Sequence, residues 1–309
     1  MQPTIGFVGV GHMGHGMAAN ILKGGYRLFV RGNRNRGPVD DLVGRGATEA
    51  ASVADLAARC DIIHLCLSNS GQVEGVIRGA DGILANARPG TTVIDTTTAD
   101  PNSTLALAAE LSAAGMTLVD APLGRTPKEA EAGTLDAMVG ASAEDLARLG
   151  PVIGCWAGNI VHVGDTGAGH KMKLVMNLIS LGYGALFAEA LTMAVKSGIS
   201  PQVFDQVIGS SRMSNGFYET FMRAAVGRER DVHKFSIANA AKDTRYAAAM
   251  AQAAGMANPI GAAARNAYAQ MEAAGGANAY VPHLADHVAA LNGVDLEAEV
   301  ASGAGDADD

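Results

Sequence analysis

Lys173 and Asn177 stand four residues apart in the stretch Gly167-Ala168-Gly169-His170-Lys171-Met172-Lys173-Leu174-Val175-Met176-Asn177, where apolar residues begin to recur at helical spacing. At about 100° per residue, Lys173, Asn177 and His170 share one face of such a helix, while Lys171 points roughly 200° away from Lys173. This pairing suits carbonyl reduction. Charge gathering on the carbonyl oxygen needs a cationic hydrogen-bond donor and then a proton, and a lysine in a closed site supplies both. A solvated helix lysine shows the same spacing, so the rest of the chain must choose between the two.

A source of reducing electrons is suggested by the turn Gly9-Val10-Gly11-His12-Met13-Gly14. With 39 glycines in 309 residues, a GxGxxG pattern arises by chance about 0.6 times, so its context carries the reading. An apolar run with Ile5, Phe7 and Val8 leads into it, and a helix-forming stretch from Met17 to Lys23 follows. Strand, glycine turn and helix are the setting of a dinucleotide site. Gly9 permits the tight turn, Gly11 the close approach of a pyrophosphate and Gly14 close helix packing, with helix N–H groups facing the phosphates. After the second strand, Val30-Arg31-Gly32-Asn33-Arg34-Asn35-Arg36 holds three arginines and no acid before Asp40. A 2′-phosphate fits that loop better than a neutral ribose, which favours NADP(H) and leaves NAD(H) open. A solvated basic loop is the plainer alternative.

These residues must be carried by elements. Short apolar strands at Thr4 to Val8, Leu28 to Val30, Ile62 to Leu67, Thr92 to Asp95, Thr117 to Asp120 and Ala137 to Val139 alternate with alanine-rich helical stretches, predicting an α/β fold with a parallel-rich sheet. In such sheets ligands lie beyond the carboxyl ends of the strands. Ser68 and Asn69, Thr96 to Thr98, and Asp120 through Thr126 are placed there, although a threonine after a strand is as readily a helix cap. From about Gly169 the pattern turns helical, with breaks near Gly198 and Pro201, Gly255 to Pro259, and Gly275 to Gly276. The expected division is a dinucleotide-binding domain at 1–165, an all-helical domain opening on a long linking helix at 166–298, and a flexible tail at 299–309.

The net charge of −8 argues against nucleic acid as partner. No stretch is expected to run apolar for the ~18 residues of a membrane span, since Arg, Asp, Asn or Gly interrupts each. Cys60, Cys66 and Cys155 show no CxxC spacing and suit reduced thiols, so neither a disulfide framework nor a bound metal is expected. The opening MQPTIGFVGVG lacks the form of an export signal, and a cytoplasmic location is expected. Apolar stretches such as Ile179 to Phe187 suggest a homodimer or homotetramer, with packing inside one chain as the simpler reading.

Taken together, GFVGVGHMGHGMAANIL, TVIDTTTADP, DAPLGRTPKEAEAGTLDAMVG, GAGHKMKLVMN and AAKDTRYAAAMAQAAG resemble the β-hydroxyacid dehydrogenase family in motif and in order, over nearly the whole chain. That family includes 3-hydroxyisobutyrate dehydrogenases and semialdehyde reductases. The resemblance implies an N-terminal Rossmann domain, a long linking helix and an all-α C-terminal domain like that of 6-phosphogluconate dehydrogenase. It implies Lys173 as the catalytic lysine with Asn177 as its substrate-orienting neighbour. Thr98 then lies near the nicotinamide and Lys242 beside the cofactor; His12, Met13, Leu67 and Ser68 join the cofactor group, and Asn33, Arg34 and Arg36 the 2′-phosphate. Gly124, Arg125, Thr126 and Ser180, with Thr98, are expected to hold substrate.

The departures bear on substrate. Most members carry Ser-Gly-Gly where this chain has Gly124-Arg125-Thr126, a motif similar to that of the sulfolactaldehyde reductases, in which the arginine is expected to grip a sulfonate. A guanidinium suits any small oxyanion, carboxylate included. Met176 stands in place of the first of two asparagines, closer to the glyoxylate and succinic semialdehyde reductases. The usual Asp-x-Ser-Ala segment reads Ala279-Tyr280-Val281-Pro282. The expected activity is hydride transfer between NADPH and a small anionic semialdehyde, or the reverse on its hydroxyacid. Two alternatives are a non-catalytic dinucleotide-binding protein and an imine reductase on the same scaffold. Relatives of both kinds lack the lysine, and Lys173 is present.

Overall fold

The computed structural model describes residues 2–303, which divide into two compact units on either side of the Lys173–Leu174 bond. In the first unit the alternating pattern produces nine strands: β1 Ile5–Val8, β2 Leu28–Arg31, β3 Thr48–Glu49, β4 Ile62–Leu65, β5 Thr92–Asp95, β6 Thr117–Asp120, β7 Leu123–Gly124, β8 Leu135–Gly140 and β9 Ala157–Gly164. Their order is β3-β2-β1-β4-β5-β6-β8-β7, with β9 also paired to β8. Among the described residues only the β6–β8 and β7–β8 strand pairs are antiparallel. β1, β4 and β5 are buried along their whole length, which is why apolar residues dominate them with no polar alternation between two faces. The chain moves outward from β1 through β2 to β3, then returns to β1's other side with β4. That reversal is the switch point at which such sheets open a crevice, and the glycine turn leaves β1 there.

Three strands escaped the sequence reading. β3 and β7 have two residues each, and β9 (Ala157–Gly164) is the sheet's longest strand but largely exposed. Its neighbours fix it, not its own hydrophobicity.

His64 on β4 is wholly buried, its ring stacked on Phe7 with centroids 5.4 Å apart and set edgewise to Trp156. Neither ring nitrogen has a hydrogen-bond partner among the described residues. Burial pushes this imidazole from 6.5 down to about 3. The unfolded chain therefore takes up a proton as pH falls below 6.5, whereas the folded chain resists until about 3. Stability is full above that window and is lost through it, by an amount approaching ~5 kcal/mol at its acid end. His64→Phe should flatten this limb. Urea midpoints of the two proteins should diverge between roughly pH 7 and pH 4, and parallel curves would contradict the assignment.

The second unit is helical. The helix Ala168–Lys196 enters it and is followed by Pro201–Gly209, Gly216–Ala225, Ile237–Ala253, Pro259–Met271, Leu284–Leu291 and Leu296–Gly303. The breaks fall where Gly198, Pro201, Pro259 and Gly275 interrupt the pattern, Gly275 taking φ +91°. Leu181, Phe187, Leu191, Tyr218, Phe221 and Tyr268 form its core.

Two expectations need correction. The tail does not begin at residue 299: Val300 is buried in the core, and its carbonyl accepts from Gln202 Nε2 at 2.7 Å, so helix continues to Gly303. The expected tail residues 304–309 lie outside the described residues. The helix Ala168–Lys196 also meets the length and composition of a membrane span, with a window of mean hydropathy 1.6 that is 39% buried. A core helix meets the same criterion, and Leu181, Phe187, Ala188 and Leu191 of this helix are packed in the core.

Candidate active site

The first helix, Gly14–Lys23, begins at Met13 with no side chain capping its N–H groups and no acid in its first turn. Elsewhere in this unit Ser52, Asn69, Asp100 and Ser142 cap their helices. An uncapped start leaves N–H donors and the positive end of the helix dipole for an anion. The three glycines divide by role. Gly9 has φ +98°, and a β-carbon there would lie 2.2 Å from the Cys66 carbonyl; at Gly14 it would lie 2.0 Å from the Gly9 carbonyl. At Gly11 it would meet nothing within 4 Å. The chain itself requires Gly9 and Gly14, whereas the space at Gly11 fits the close approach of a dinucleotide pyrophosphate. His12 is exposed on this turn, and Met13 packs partly on the core.

The loop after β2 is less basic in space than in sequence. Arg36 is held by Glu49, with Nη2 to Oε2 at 2.9 Å, and by Asp40 at 2.8 Å; both acids push its guanidinium further up. Arg31 donates to the Ala50 carbonyl at 3.2 Å and lies 3.8 Å from Glu49. The expectation that Arg36 meets a 2′-phosphate is thereby corrected: an acid from β3, far along the chain, already occupies it. Asn33 and Arg34 remain exposed, and Arg34 makes no ion pair among the described residues. His15, on the first helix, contacts Glu131 at 2.6 Å and Asp41 at 2.7 Å, tying that loop's helix Gly37–Gly44 to the helix Pro127–Ala132. Burial alone would lower this imidazole, but the two acids raise it.

The other strand ends separate structural from available groups. Thr96 donates to the Leu65 carbonyl at 2.7 Å, and Thr97 accepts from the Leu67 N–H at 3.0 Å. Thr98 is the half-exposed member of the three. Leu67 is half-buried and Ser68 exposed beyond β4. Asp120 pairs with Gly140, and further out Gly124 pairs with Asp136, so the β7–β8 hairpin projects past the carboxyl edge of β6. Arg125 sits at its tip with φ +76°, a left-handed backbone rarely taken by a residue with a side chain. Thr126 is corrected to a helix cap: its N–H donates to Glu129 Oε2 at 3.1 Å and its hydroxyl to the same oxygen. Both donors are spent, leaving Arg125 as the cationic side chain of the motif.

Lys173 is placed by a buried network that the sequence did not reveal. The Asp120 carboxylate accepts the Gly167 N–H and, at 2.7 Å, the His170 N–H, capping the helix Ala168–Lys196. The His170 ring meets the Thr104 hydroxyl at 2.7 Å and lies 3.9 Å from both Asp95 and Asp120. Burial pushes the Asp95 carboxyl up. The half-buried Lys173 follows His170 by three residues.

In the second unit Asn177 is 7% exposed and donates through Nδ2 to Asp243 Oδ2 at 2.6 Å. With its amide nitrogen on a carboxylate, Asn177 turns an acceptor oxygen the other way. Lys242 Nζ lies 3.1 Å from Asp243 Oδ1 and 5.6 Å from the Tyr246 ring centre. Ser180 donates to the Asn177 carbonyl at 3.3 Å, so its hydroxyl proton is used within the helix. Asp243 was missed because an acid inside a helix reads as surface; its near-complete burial is the signal.

A doubly wound sheet with an uncapped glycine turn at its switch point, and a lysine held on a capped helix, defines a dinucleotide-dependent oxidoreductase. Residues 4–164 match the model of the NAD binding domain of 6-phosphogluconate dehydrogenase, and residues 167–291 that of the NAD-binding domain of NADP-dependent 3-hydroxyisobutyrate dehydrogenase. The chain belongs to the β-hydroxyacid dehydrogenase family, NAD(P)-dependent oxidoreductases acting on the CH–OH groups of hydroxyacids. It is 40% identical to 2-(hydroxymethyl)glutarate dehydrogenase of Eubacterium barkeri, over 67% of this chain and 68% of that one. It is 33% identical to 3-sulfolactaldehyde reductase of Escherichia coli, over 88% and 91%. The structure of Mycobacterium tuberculosis 3-hydroxyisobutyrate dehydrogenase with L-serine matches with a TM-score of 0.81 at 29% identity, covering 93% of this chain and 99% of that one.

Proposed function

We propose that this enzyme uses NADPH to reduce the aldehyde of a short semialdehyde bearing one oxyanion, and catalyses the reverse on the matching hydroxyacid. The observation that carries this reading is the Arg125 guanidinium, held at the tip of the β7–β8 hairpin beyond the strand ends. Nicotinamide, when bound, supplies the hydride. Arg125 binds the acid end of the substrate, Asn177 orients the reacting oxygen through its acceptor, and Lys173 donates a proton to that oxygen. A carboxylate or a sulfonate satisfies the guanidinium, so succinic semialdehyde, glyoxylate and sulfolactaldehyde all belong to the substrate class.

Arg125→Ala should raise KM for anionic aldehydes by about 10- to 100-fold and leave KM for an uncharged aldehyde near its starting value. Steady-state kinetics on both substrates checks this, and an equal rise for both would contradict it.

The preference for NADPH rests on Arg34, the loop arginine not taken by Glu49. Arg34→Ala should raise KM for NADPH about tenfold with that for NADH unchanged; a wild-type enzyme preferring NADH would overturn this part of the reading.

Free Cys60, Cys66 and Cys155 support a cytoplasmic location; burial pushes the Cys60 and Cys66 thiols up to about 12 and about 11, keeping them protonated. The exposed apolar face of Ile179, Leu186 and Met193, respectively 53%, 58% and 68% accessible, supports assembly of two or four copies.

A further inference from the structure

Arg125 does not stand alone. Its Nε donates to Asp136 Oδ2 at 2.9 Å, and Asp136 Oδ1 accepts from Asn159 Nδ2 at 3.3 Å, so β9 holds the acid that holds the arginine. Gly124 makes room for the pair. It faces Asp136 in register, and a β-carbon on Gly124 would lie 3.2 Å from that of Asp136. The left-handed backbone of Arg125 turns its side chain onto this acid. The guanidinium makes no other hydrogen bond among the described residues, which leaves its Nη edge for a ligand. The nearby charges are Arg125 and Lys128 against Glu129 and Asp136, so they cancel.

We infer that Asp136 is a specificity-determining residue: by fixing Arg125 and neutralising it, Asp136 restricts the clamp to singly charged acid ends, carboxylate or sulfonate, and disfavours dianionic phosphate or phosphonate. A monoanion forms two hydrogen bonds to the Nη edge and leaves the local charge at minus one. A dianion makes the same bonds, but its second charge faces the Asp136 carboxylate without compensation. An arginine without the acid would accept either. The inference rests on the reading that Arg125 binds the acid end, and its test separates the two.

Asp136→Asn keeps one acceptor oxygen for Nε and removes the charge, while its new NH2 group faces Asn159, whose amide accepts it after a flip. The probes are 3-sulfolactaldehyde and glyceraldehyde 3-phosphate, aldehydes of one chain length with one and about two charges, respectively. kcat/KM is measured for each with wild type, Asp136→Asn and Arg125→Ala, alongside an uncharged aldehyde. Wild type should favour the sulfonate, and Asp136→Asn should shift the sulfonate-to-phosphate ratio about tenfold toward the phosphate with unchanged activity on the uncharged aldehyde. An unchanged ratio in Asp136→Asn, while Arg125→Ala still loses both anions selectively, overturns the inference and spares the anion clamp. If Arg125→Ala loses anionic and uncharged substrates alike, the clamp itself is refuted.

Discussion

Lys173→Met is expected to lower kcat by about three orders of magnitude, the range of a general acid that also stabilises charge on oxygen, while cofactor affinity stays within about twofold of wild type. Methionine keeps the length and apolar stem of lysine and removes the donor and the proton. The helix should not suffer, because its start is fixed from below by Asp120 on the Gly167 and His170 N–H groups, not by Lys173. Single-turnover reduction and cofactor titration by fluorescence check the two halves of the expectation. Turnover near that of wild type would refute the role of Lys173, and loss of cofactor binding would reassign it to the cofactor.

Gly11→Ala is expected to separate cofactor binding from folding. A β-carbon at Gly11 meets nothing within 4 Å, and its backbone is not left-handed. The added methyl therefore costs the folded chain no strain, and the smaller entropy of the unfolded chain adds up to about 1 kcal/mol of stability. Bound pyrophosphate meets that methyl directly, and KM for the dinucleotide should rise tenfold or more, at least ~1.4 kcal/mol. Gly9→Ala has the opposite profile. Its methyl would strike the Cys66 carbonyl at 2.2 Å from a backbone at φ +98°, which destabilises the fold before the cofactor is considered. Melting curves with and without dinucleotide distinguish the two. A destabilised Gly11→Ala with unchanged KM would place the cofactor elsewhere.

Much of this architecture is legible in the sequence because burial leaves a periodic trace. β1, β4 and β5 are buried throughout and lie within two residues of their expected bounds, and the breaks of the helical unit sit at Pro201 and Pro259 as the chain predicts. What the sequence hides is contact between residues far apart. Glu49 neutralises Arg36 across thirteen residues, so a loop that reads as strongly basic keeps Arg34 as its arginine without an ion pair among the described residues, and Asp136 likewise holds Arg125 across eleven. Thr126 reads as a substrate ligand until Glu129 is seen to take both of its donors. The Asn177–Asp243 pair spans sixty-six residues; neither residue's spacing announces the other, because a helical acid is ordinarily a surface group. β9 is fully buried only at Ala157, so its sequence carries little hydrophobic signal, yet its Asn159 steadies Asp136.

As proposed, this site reduces small aldehydes carrying one negative charge. The most direct measurement is NADPH oxidation by the purified wild-type enzyme against glyoxylate, succinic semialdehyde, methylmalonate semialdehyde, tartronate semialdehyde and sulfolactaldehyde, each beside an uncharged aldehyde of similar length. The account predicts that at least one of these anions is turned over with a kcat/KM tenfold or more above its uncharged counterpart. Equal rates on charged and uncharged aldehydes, or no NADPH oxidation with any of them, would contradict it.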